Sequence, residues 1–304
     1  MAAQVETHMK NVFKDGVSLL AQQEMSKLQD TCLYEPLEGE KKFWDYYGSA
    51  SFIERTGRNQ ANTPQELARS RRMISKQSYE YTELFDPRDR SRLLKALEPD
   101  SQFVRAVIAG AMRKKDDIII AAFDGTAYSG KDGTTSVAFD NGNSPSHDVT
   151  ITYDEADSSN TTEYPLTIGK LRRSRALLEG KDVDESMPWY CVAHPNAKHA
   201  LLRSAEVTSA DYNSVRALVD GQVNSFLGLD YRWSTRIANN DTNDRYVYVY
   251  RKDAVVFGMD GDIRVEIDEL PEKGHAIQLA VYIDMAATRA EETKIVRINT
   301  NEAA

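Results

Sequence analysis

Residues 125–132 come nearest to a nucleotide-binding motif. They read GTAYSGKD, with the two glycines and the lysine of a phosphate-binding P-loop. That motif needs serine or threonine after the lysine to bind magnesium, but this chain has Asp132 there, and its carboxylate would repel phosphate. The motif also lies between a strand and a helix, whereas the pattern here predicts a helix before it and a turn after it. We therefore expect no nucleotide site.

Two histidines, His194 and His199, are the best candidates for metal ligands. They lie five residues apart, whereas two ligands on one helix face are about four apart, and no acidic third ligand is near. Asp260 and Asp262 flank a glycine in a predicted turn, but the remaining ligands of a calcium loop are missing. Serine–histidine and paired-carboxylate motifs are also missing. The sequence thus predicts no catalytic, cofactor or metal site, and no enzyme.

The charges are unevenly distributed. The chain has a net charge of −9, yet residues 41–115 carry 16 basic and 9 acidic side chains. Affinity for DNA depends mainly on neutralising phosphates, so an acidic body argues against DNA binding by the whole surface. A basic segment on an acidic body instead favours contact between copies of the chain.

Apolar runs and cysteines limit the class of protein further. The longest apolar run, Ile118–Phe123, is far shorter than the roughly 20 residues of a membrane span, and the first residues do not resemble a signal peptide. Cys32 and Cys191 are far apart in sequence. The pattern indicates reduced thiols in a cytoplasmic product.

The element around which the chain is organised is a long helix predicted over Ser101–Asp124. Its apolar stripe consists of Phe103, Val107, Ala111, Ile118 and Ala122, and it is widened by Ile108 and Ile119. At about 1.5 Å per residue, a helix of this length measures roughly 36 Å. Such a length is unusual inside an ordinary globular domain and suits a flat, extended subunit.

Two arms are predicted before this helix. Residues 1–48 combine an amphipathic stretch with many aromatic side chains, and residues 49–86 resemble a hairpin with strands Ser51–Gly57 and Met73–Phe85. An isolated hairpin buries too little surface to be stable, so residues 49–86 either need a partner surface or are mobile. Residues 1–48 either pack on their own domain or dock their aromatic side chains onto a neighbouring subunit. The residues predicted to make subunit contacts are Arg55, Arg58, Arg69, Arg71, Arg72, Lys76, Phe43, Trp44, Tyr46 and Tyr47.

The remainder mixes helices and strands without a repeating order, which predicts an α+β fold. Residues 125–165 are predicted to form a β-hairpin insertion with strands Thr135–Phe139 and Val149–Tyr153. Further helices are predicted over Leu166–Glu179, Pro195–Ala205 and Ser209–Val219. The other predicted strands are Met187–Ala193, Gln222–Ile237, Arg245–Phe257, Ile263–Ile267, Ile277–Ile283 and Lys294–Asn299.

Several stretches together resemble a known family. They are DPRDRSRLLKALEPDSQFVRAVIAGAMRKKDDIIIAAFDGTA, LTIGKLRRSRALLEG, MPWYCVAHPNAKHALL, SADYNSVRALVDGQVNSFLGLDYRWSTRI and IQLAVYIDMAATRAEETKIVRINTNE. In this order they resemble the major capsid proteins of tailed double-stranded DNA bacteriophages, which share the Hong Kong 97 fold. The resemblance spans most of the chain and consists of diffuse patterns.

The resemblance implies a domain plan. Its parts are an N-arm (1–48), an extended loop (49–86), a peripheral domain (87–124) with spine helix 101–124, a β-hairpin insertion (125–165), an axial domain (166–262) and the closing strands of the peripheral domain (263–304).

The resemblance also implies a structural function. Pentamers and hexamers would form an icosahedral shell around packaged double-stranded DNA, assembled in the bacterial host cytoplasm and found in the virion. A portal and a separate scaffolding protein would be partners, and a decoration protein is left open. The alternatives are an encapsulin-like nanocompartment shell, or a nucleic-acid-binding protein that uses its basic 55–76 segment.

Overall fold

The structure is a computed structural model that describes residues 22–58, 61, 64–85, 102–139, 148–155, 161–181, 186–203, 225–239 and 244–302. The predicted helix Ser209–Val219 and the segment 86–100 lie outside these residues. The helices of the described part are α1 (Gln102–Asp124), α2 (Ile168–Glu179) and α3 (Pro195–Arg203). None of them is long and apolar enough to span a membrane.

The described residues form fifteen strands in three sheets. The strands are β1 (Leu33–Tyr34), β2 (Lys41–Tyr47), β3 (Arg69–Ser75), β4 (Gln77–Phe85), β5 (Ala127–Ser129), β6 (Thr135–Val137), β7 (Asp148–Val149), β8 (Trp189–Ala193), β9 (Ser225–Phe226), β10 (Leu229–Trp233), β11 (Asp244–Arg251), β12 (Val255–Met259), β13 (Arg264–Leu270), β14 (Ala276–Arg289) and β15 (Ile295–Asn301). Helices and strands mix irregularly, which confirms the predicted α+β class.

The chain divides into two compact units. One comprises Met1–Met25, Tyr81–Arg113 and Val265–Val281, and the other comprises Ser26–Glu80, Lys114–Arg264 and Tyr282–Ala304. The second unit contains the candidate site.

A six-stranded mixed sheet forms one apolar core of the second unit. Its order is β7-β15-β11-β8-β10-β9, and all five residues of β8 are buried. Helices α2 and α3 contribute Leu171, Leu178 and Leu201 to one apolar cluster with Val249 and Ile298 of the sheet. Burying a side chain of this size stabilises the fold by about 1.5–3 kcal/mol, so this cluster is a major source of stability.

A buried lysine joins three parts of this core. The side chain of Lys170 in α2 is fully buried, and its Nζ donates to the main-chain oxygens of Ile151 (2.9 Å), Tyr164 (2.7 Å) and Asn299 (2.9 Å). Burial lowers the pKa of this ammonium to about 7. Three carbonyl acceptors match the three N–H donors of a lysine, so the contact holds α2 to β15 and to two loops.

The long helix predicted over Ser101–Asp124 is confirmed as α1. It ends where the N–H of Gly125 donates to the oxygen of Ala121 at 3.1 Å. A Cβ at position 125 would lie 2.4 Å from that oxygen, so the glycine is required by the close approach.

The buried side of α1 differs from the predicted stripe. Ala111 and Ala122 are buried as predicted, but Val107 and Ile118 are only half-buried, and the side chain of Phe103 is outside the described part. The buried apolar residues of α1 are Val104, Ala109, Ala111, Ile119, Ala122 and Phe123. Ile119, which widens the predicted stripe, is thus buried as well, whereas Val104, Ala109 and Phe123 are buried outside it.

A charged residue, Asp116, also lies on the buried side of α1. Its Oδ1 accepts from the Ser26 hydroxyl (2.6 Å) and from the main-chain N–H groups of Lys27 and Leu28 (3.2 Å each). Because backbone donors satisfy this carboxylate, it anchors residues 26–28 to the helix. The apolar periodicity predicts the opposite, with Asp116 off the buried stripe.

The predicted pairing within residues 125–165 is wrong. Strand β6 pairs with β5, directly before it, and not with residues 149–153. The turn between them contains Gly130 and Gly133, with φ angles of +90° and +68°, so a tight hairpin closes locally. Strand β7 instead pairs with β15 in the main sheet, where Asp148 is held by Arg297 at 2.6 Å.

A tight approach occurs at Gly258 in the third sheet, which has the order β1-β12-β14-β13 with β4 also paired to β14. After β1, the main-chain N–H groups of Glu35 and Leu37 donate to Phe257 and Met259 of β12. A Cβ at position 258 would lie 2.5 Å from the Glu35 oxygen and 2.6 Å from Leu37 Cγ. The absence of a side chain there lets this segment lie against β12.

We expect Gly258→Ala to lower the free energy of unfolding by about 1–3 kcal/mol, as overpacking does in tightly packed sites. The matched control is Gly57→Ala, where an added Cβ meets nothing within 4 Å and the change should stay within about 0.5 kcal/mol. Urea unfolding of both variants measures the difference. Equal stability of the two variants would contradict the packing argument.

Candidate subunit interface

The residues predicted to make subunit contacts are concentrated on one antiparallel ribbon, formed by β2 and β3. Its seven pairs run from Lys41↔Ser75 to Tyr47↔Arg69. The predicted strand Ser51–Gly57 is wrong, since these residues form no strand. The alternating KKFWDYY stretch before it provides the partner for β3, because alternating polar and apolar side chains suit a half-buried strand.

The outward face of the ribbon consists of Phe43, Asp45, Tyr47, Arg69 and Arg71. Arg71 forms a two-pronged ion pair with Asp45, at 2.5 and 3.0 Å. The same guanidinium lies 5.5 Å from the ring centre of Phe43, and that of Arg69 lies 5.8 Å from the ring centre of Tyr47. The hydrogen bonds from Arg71 hold the pKa of Asp45 below its usual range. This face is thus a ladder of alternating cations and aromatic rings.

The inward face points to the protein's own body. Trp44 packs against the cluster of Leu37, Ile74 and Ala286, and Tyr46 is half-buried, which raises its pKa. The alternation of a strand separates these two aromatics from Phe43 and Tyr47.

The root of the ribbon, Arg72 to Lys76, is tied to the body by charge. Arg72 donates to the main-chain oxygen of Ala290 (3.1 Å) and to Glu292 (2.5 Å). The Lys76 ammonium lies 2.7 Å from Asp260, which raises its pKa. The predicted contacts of Arg72 and Lys76 are therefore made within their own subunit.

A fully buried arginine, Arg289, connects this root to the end of α1. Its Nη1 donates to the main-chain oxygens of Phe123 (3.1 Å) and Gly125 (2.7 Å), and its Nη2 donates to that of Val137 (3.1 Å). Its Nε lies 3.2 Å from Glu292, the same carboxylate that binds Arg72. Burial lowers the pKa of Arg289.

A second charged cluster lies in the same unit. Asp253 accepts from Arg251 (2.5 Å) and from Lys294 (2.9 Å), and Lys294 also pairs with Glu291 at 2.8 Å. Burial alone would raise the pKa of both carboxyls. For Asp253, hydrogen bonds from Arg251 and Lys294 outweigh the effect of burial and lower the pKa. For Glu291, hydrogen bonds from Lys294 and Thr293 do the same.

Beyond the ribbon, residues 48–68 form an excursion that is exposed wherever it is described. The N–H of Gly48 donates to the oxygen of Ala68 at 2.7 Å and closes its base. The side chains of Phe52, Ile53 and Leu67 expose 98%, 58% and 45% of their surface. Apolar side chains this exposed mark an interaction surface when they cluster. The predicted contacts Arg55 and Arg58 also lie on this excursion and are exposed.

The sequence motifs weighed for chemistry do not form sites. Residues 125–132 follow α1 and form strand β5 and its turn, so the strand before and the helix after a P-loop are missing. His194 accepts the N–H of Asn196 at Nδ1 (3.2 Å). Within the described residues, no three histidine, cysteine or acidic side chains are grouped to hold a metal. Cys32 and Cys191 are buried and unbonded to each other.

Comparison with known proteins identifies the family. A family model described as phage capsid protein matches residues 5–302. The chain belongs to the phage capsid protein family. No curated protein matches the sequence.

Solved structures of phage capsids share the fold of this capsid protein. It superposes on the Mycobacterium phage Che8 protein with a TM-score of 0.67 at 12% identity, covering 98% of this chain and 99% of that one. The Cyanophage Pam1 capsid gives a TM-score of 0.68 at 9% identity and covers 100% of both chains. The capsid of Ralstonia phage GP4 gives 0.68 at 12% identity, with 99% and 98% covered. The Hong Kong 97 fold is therefore confirmed.

Family and fold together establish a structural role for this protein as a major capsid protein of a bacteriophage, located in the virion capsid. The encapsulin-like and nucleic-acid-binding alternatives are not favoured. The residues that sequence patterns did not single out are Phe52, Ile53, Arg289 and Glu292. Phe52 and Ile53 are an apolar pair in a polar stretch, a sequence pattern that could have indicated a contact surface. No local sequence pattern indicates a role for Arg289 or Glu292.

We expect the stability of the monomer to fall as the pH drops below about 4. The pKa values of Asp253 and Glu291 are lower in the folded chain than the ordinary values of about 3.9 and 4.3, so the unfolded chain takes up protons first. These carboxylates therefore stabilise the fold above the ordinary values, and that contribution is lost as pH falls through the folded values.

Urea unfolding from about pH 6 to about pH 2.5 measures this dependence. The variant Asp253→Asn should show a shallower loss over the same range. A wild-type stability that stays constant down to about pH 2.5 would contradict the assignment.

Proposed function

We propose that copies of this capsid protein join into pentamers and hexamers that close into an icosahedral shell around double-stranded DNA. The observation that carries the proposal is the ribbon, whose root is tied to the body while its excursion exposes the apolar side chains of Phe52, Ile53 and Leu67. Such a segment has too few contacts of its own and is completed by a neighbour. Repeated head-to-tail contacts of this kind generate rings when the rotation closes.

The contact surface in this proposal is the outward face of the ribbon together with the excursion. Of the ten residues predicted from sequence, six lie there, and three apolar residues of the excursion join them. The six predicted residues are Phe43, Tyr47, Arg55, Arg58, Arg69 and Arg71. The other four, Trp44, Tyr46, Arg72 and Lys76, support the ribbon from within its own subunit.

The domain roles are part of the same proposal. We assign residues 1–48 as the N-arm, 49–86 as the extended loop, 87–124 and 263–304 as the peripheral domain, and 166–262 as the axial domain. Residues 125–165 form the insertion between residue 124 of the peripheral domain and the start of the axial domain. The pairing of β2 with β3 supports an extended loop whose stem begins inside the N-arm range, at Lys41. The pairing of β7 with β15 argues that residues 148–149 belong to the main sheet.

The partners and the setting are inferred from the family. The shell is assembled in the bacterial host cytoplasm with a portal and a separate scaffolding protein, and a decoration protein remains open. The chain acts as a structural protein without catalysis. The ion pairs of Arg71 and Arg72 argue against an Arg69–Arg72 patch for nucleic acid, because both guanidinium groups already face carboxylates.

Electron microscopy of the expressed chain, with and without its neighbouring genes, tests the assembly. We expect uniform shells, or rings of five and six copies. A persistent monomer that binds oligonucleotides with a steep salt dependence would instead favour the nucleic-acid-binding alternative, and shells that enclose protein in place of DNA would favour the nanocompartment.

The excursion can be tested separately. We expect the double variant Phe52→Ser, Ile53→Ser to lower the yield of shells about tenfold or more, since losing about 1.4 kcal/mol per contact changes an association constant tenfold. Its thermal unfolding as a monomer should not change, because both side chains are exposed. Met187→Ser, at an exposed methionine outside the ribbon, is the control. Normal shells from the double variant would rule out the excursion as a contact.

A further inference from the structure

A single carboxylate, Glu292, is shared by two guanidinium groups. Its Oε2 lies 2.5 Å from Arg72, and its Oε1 lies 3.2 Å from Arg289. The side chains of Arg72 and Arg289 expose 11% and 0% of their surface. Ion pairs with so little solvent are weakly screened, and removing one member leaves a charge without its partner in a low-dielectric site.

Arg289 also binds the carboxyl end of α1. Its two hydrogen bonds to Phe123 and Gly125 reach the carbonyl oxygens that a helix leaves unsatisfied at this end, where a positive charge is favourable. The third carbonyl that accepts a hydrogen bond from Arg289 is that of Val137, in β6 of the four-stranded sheet β2-β3-β5-β6. One planar guanidinium thus contacts the helix end and the far strand of the ribbon's own sheet.

The other side of the arginine is covered by an aromatic ring. The guanidinium carbon of Arg289 lies 5.1 Å from the ring centre of Phe139, directly after β6. Hydrogen bonds in the plane of the guanidinium, together with the ring of Phe139, restrict both the position and the orientation of the guanidinium. A lysine could supply the charge but not the fork of donors.

We infer that Arg289 is a positioning residue for the subunit contact. Acting through Glu292 and Arg72, it holds the root of the ribbon at the carboxyl end of α1 and so determines where the excursion lies. This inference rests on the proposed function of the ribbon. Among the described residues, the hydrogen bonds and the ion pair of Arg289 are made to Phe123, Gly125, Val137 and Glu292, which all lie outside the outward face.

The chain provides a matched control for this relay. Arg71 precedes Arg72 on the same strand and is also ion-paired, but its partner Asp45 lies on the ribbon itself. Replacing Arg71 removes an equivalent charge from the ribbon without cutting its link to α1. In exchange measurements on the monomer, the comparison of Arg72→Met with Arg71→Met therefore isolates the relay. Assembly of Arg72→Met is compared with the wild type, because Arg71 lies on the proposed contact surface.

The experiment uses the full chain as wild type, Arg71→Met, Arg72→Met, Glu292→Gln and Arg289→Lys. Hydrogen–deuterium exchange of the purified monomers is compared between β3 and β15, and shell assembly is followed by light scattering and electron microscopy. We expect Arg72→Met, Glu292→Gln and Arg289→Lys to speed exchange in β3 about tenfold while β15 stays within about twofold. Shell formation by these variants should slow by a similar factor, and Arg71→Met should exchange like wild type.

The outcomes separate this inference from the proposed function. Failure of the wild type to form shells counts against the proposed function, while the exchange comparison still tests the relay. The inference is overturned if β3 exchanges no faster in Arg72→Met than in Arg71→Met, if Arg72→Met assembles like the wild type, or if exchange rises equally in β15, which indicates general destabilisation. If Arg289→Lys does not fold, Arg72→Met and Glu292→Gln still test the relay. Exchange in β3 should then be no faster in the double variant of these two than in either single variant.

Discussion

The buried guanidinium of Arg289 is the interaction on which the rest of this unit depends. Moving a charge from water into the protein interior costs roughly several kcal/mol unless hydrogen bonds and an opposite charge replace the solvent. The chain meets that condition by bringing the end of α1, the end of β6 and Glu292 to one point. The long helix, the four-stranded sheet and the root of the ribbon therefore share one geometric constraint.

Two other buried charges follow the same rule. Lys170 is satisfied by three main-chain oxygens and Asp116 by main-chain N–H groups and a hydroxyl. Each charge has at least one partner that is distant in sequence: Asn299 is 129 residues from Lys170, and Lys27 is 89 residues from Asp116. A charge that needs several partners in fixed directions joins segments more specifically than apolar contact, which has no direction. Apolar packing supplies most of the stability, and these charges select the arrangement.

The ribbon shows how one strand serves two surfaces. Successive side chains of β2 alternate between the body and the outside, so Trp44 packs in the fold while Phe43 and Tyr47 stay exposed. The excursion beyond the ribbon exposes Phe52 almost completely. In the shell that we propose, the apolar surface that one subunit leaves uncovered is buried by the next.

The amino-acid sequence by itself determined the α+β class, the long helix and most core strands, because α1 and β11 carry strong local periodicity, and its resemblance led to the capsid family. It did not determine strand partners: β6 pairs with β5, and β3 with residues 41–47, since a short run cannot specify its partner without the packing around it. Nor did it separate contacts made within the subunit from those left for a neighbour. Only the tertiary structure decided that Arg72 and Lys76 face carboxylates of their own chain, because ion pairs between residues over 180 positions apart leave no local pattern.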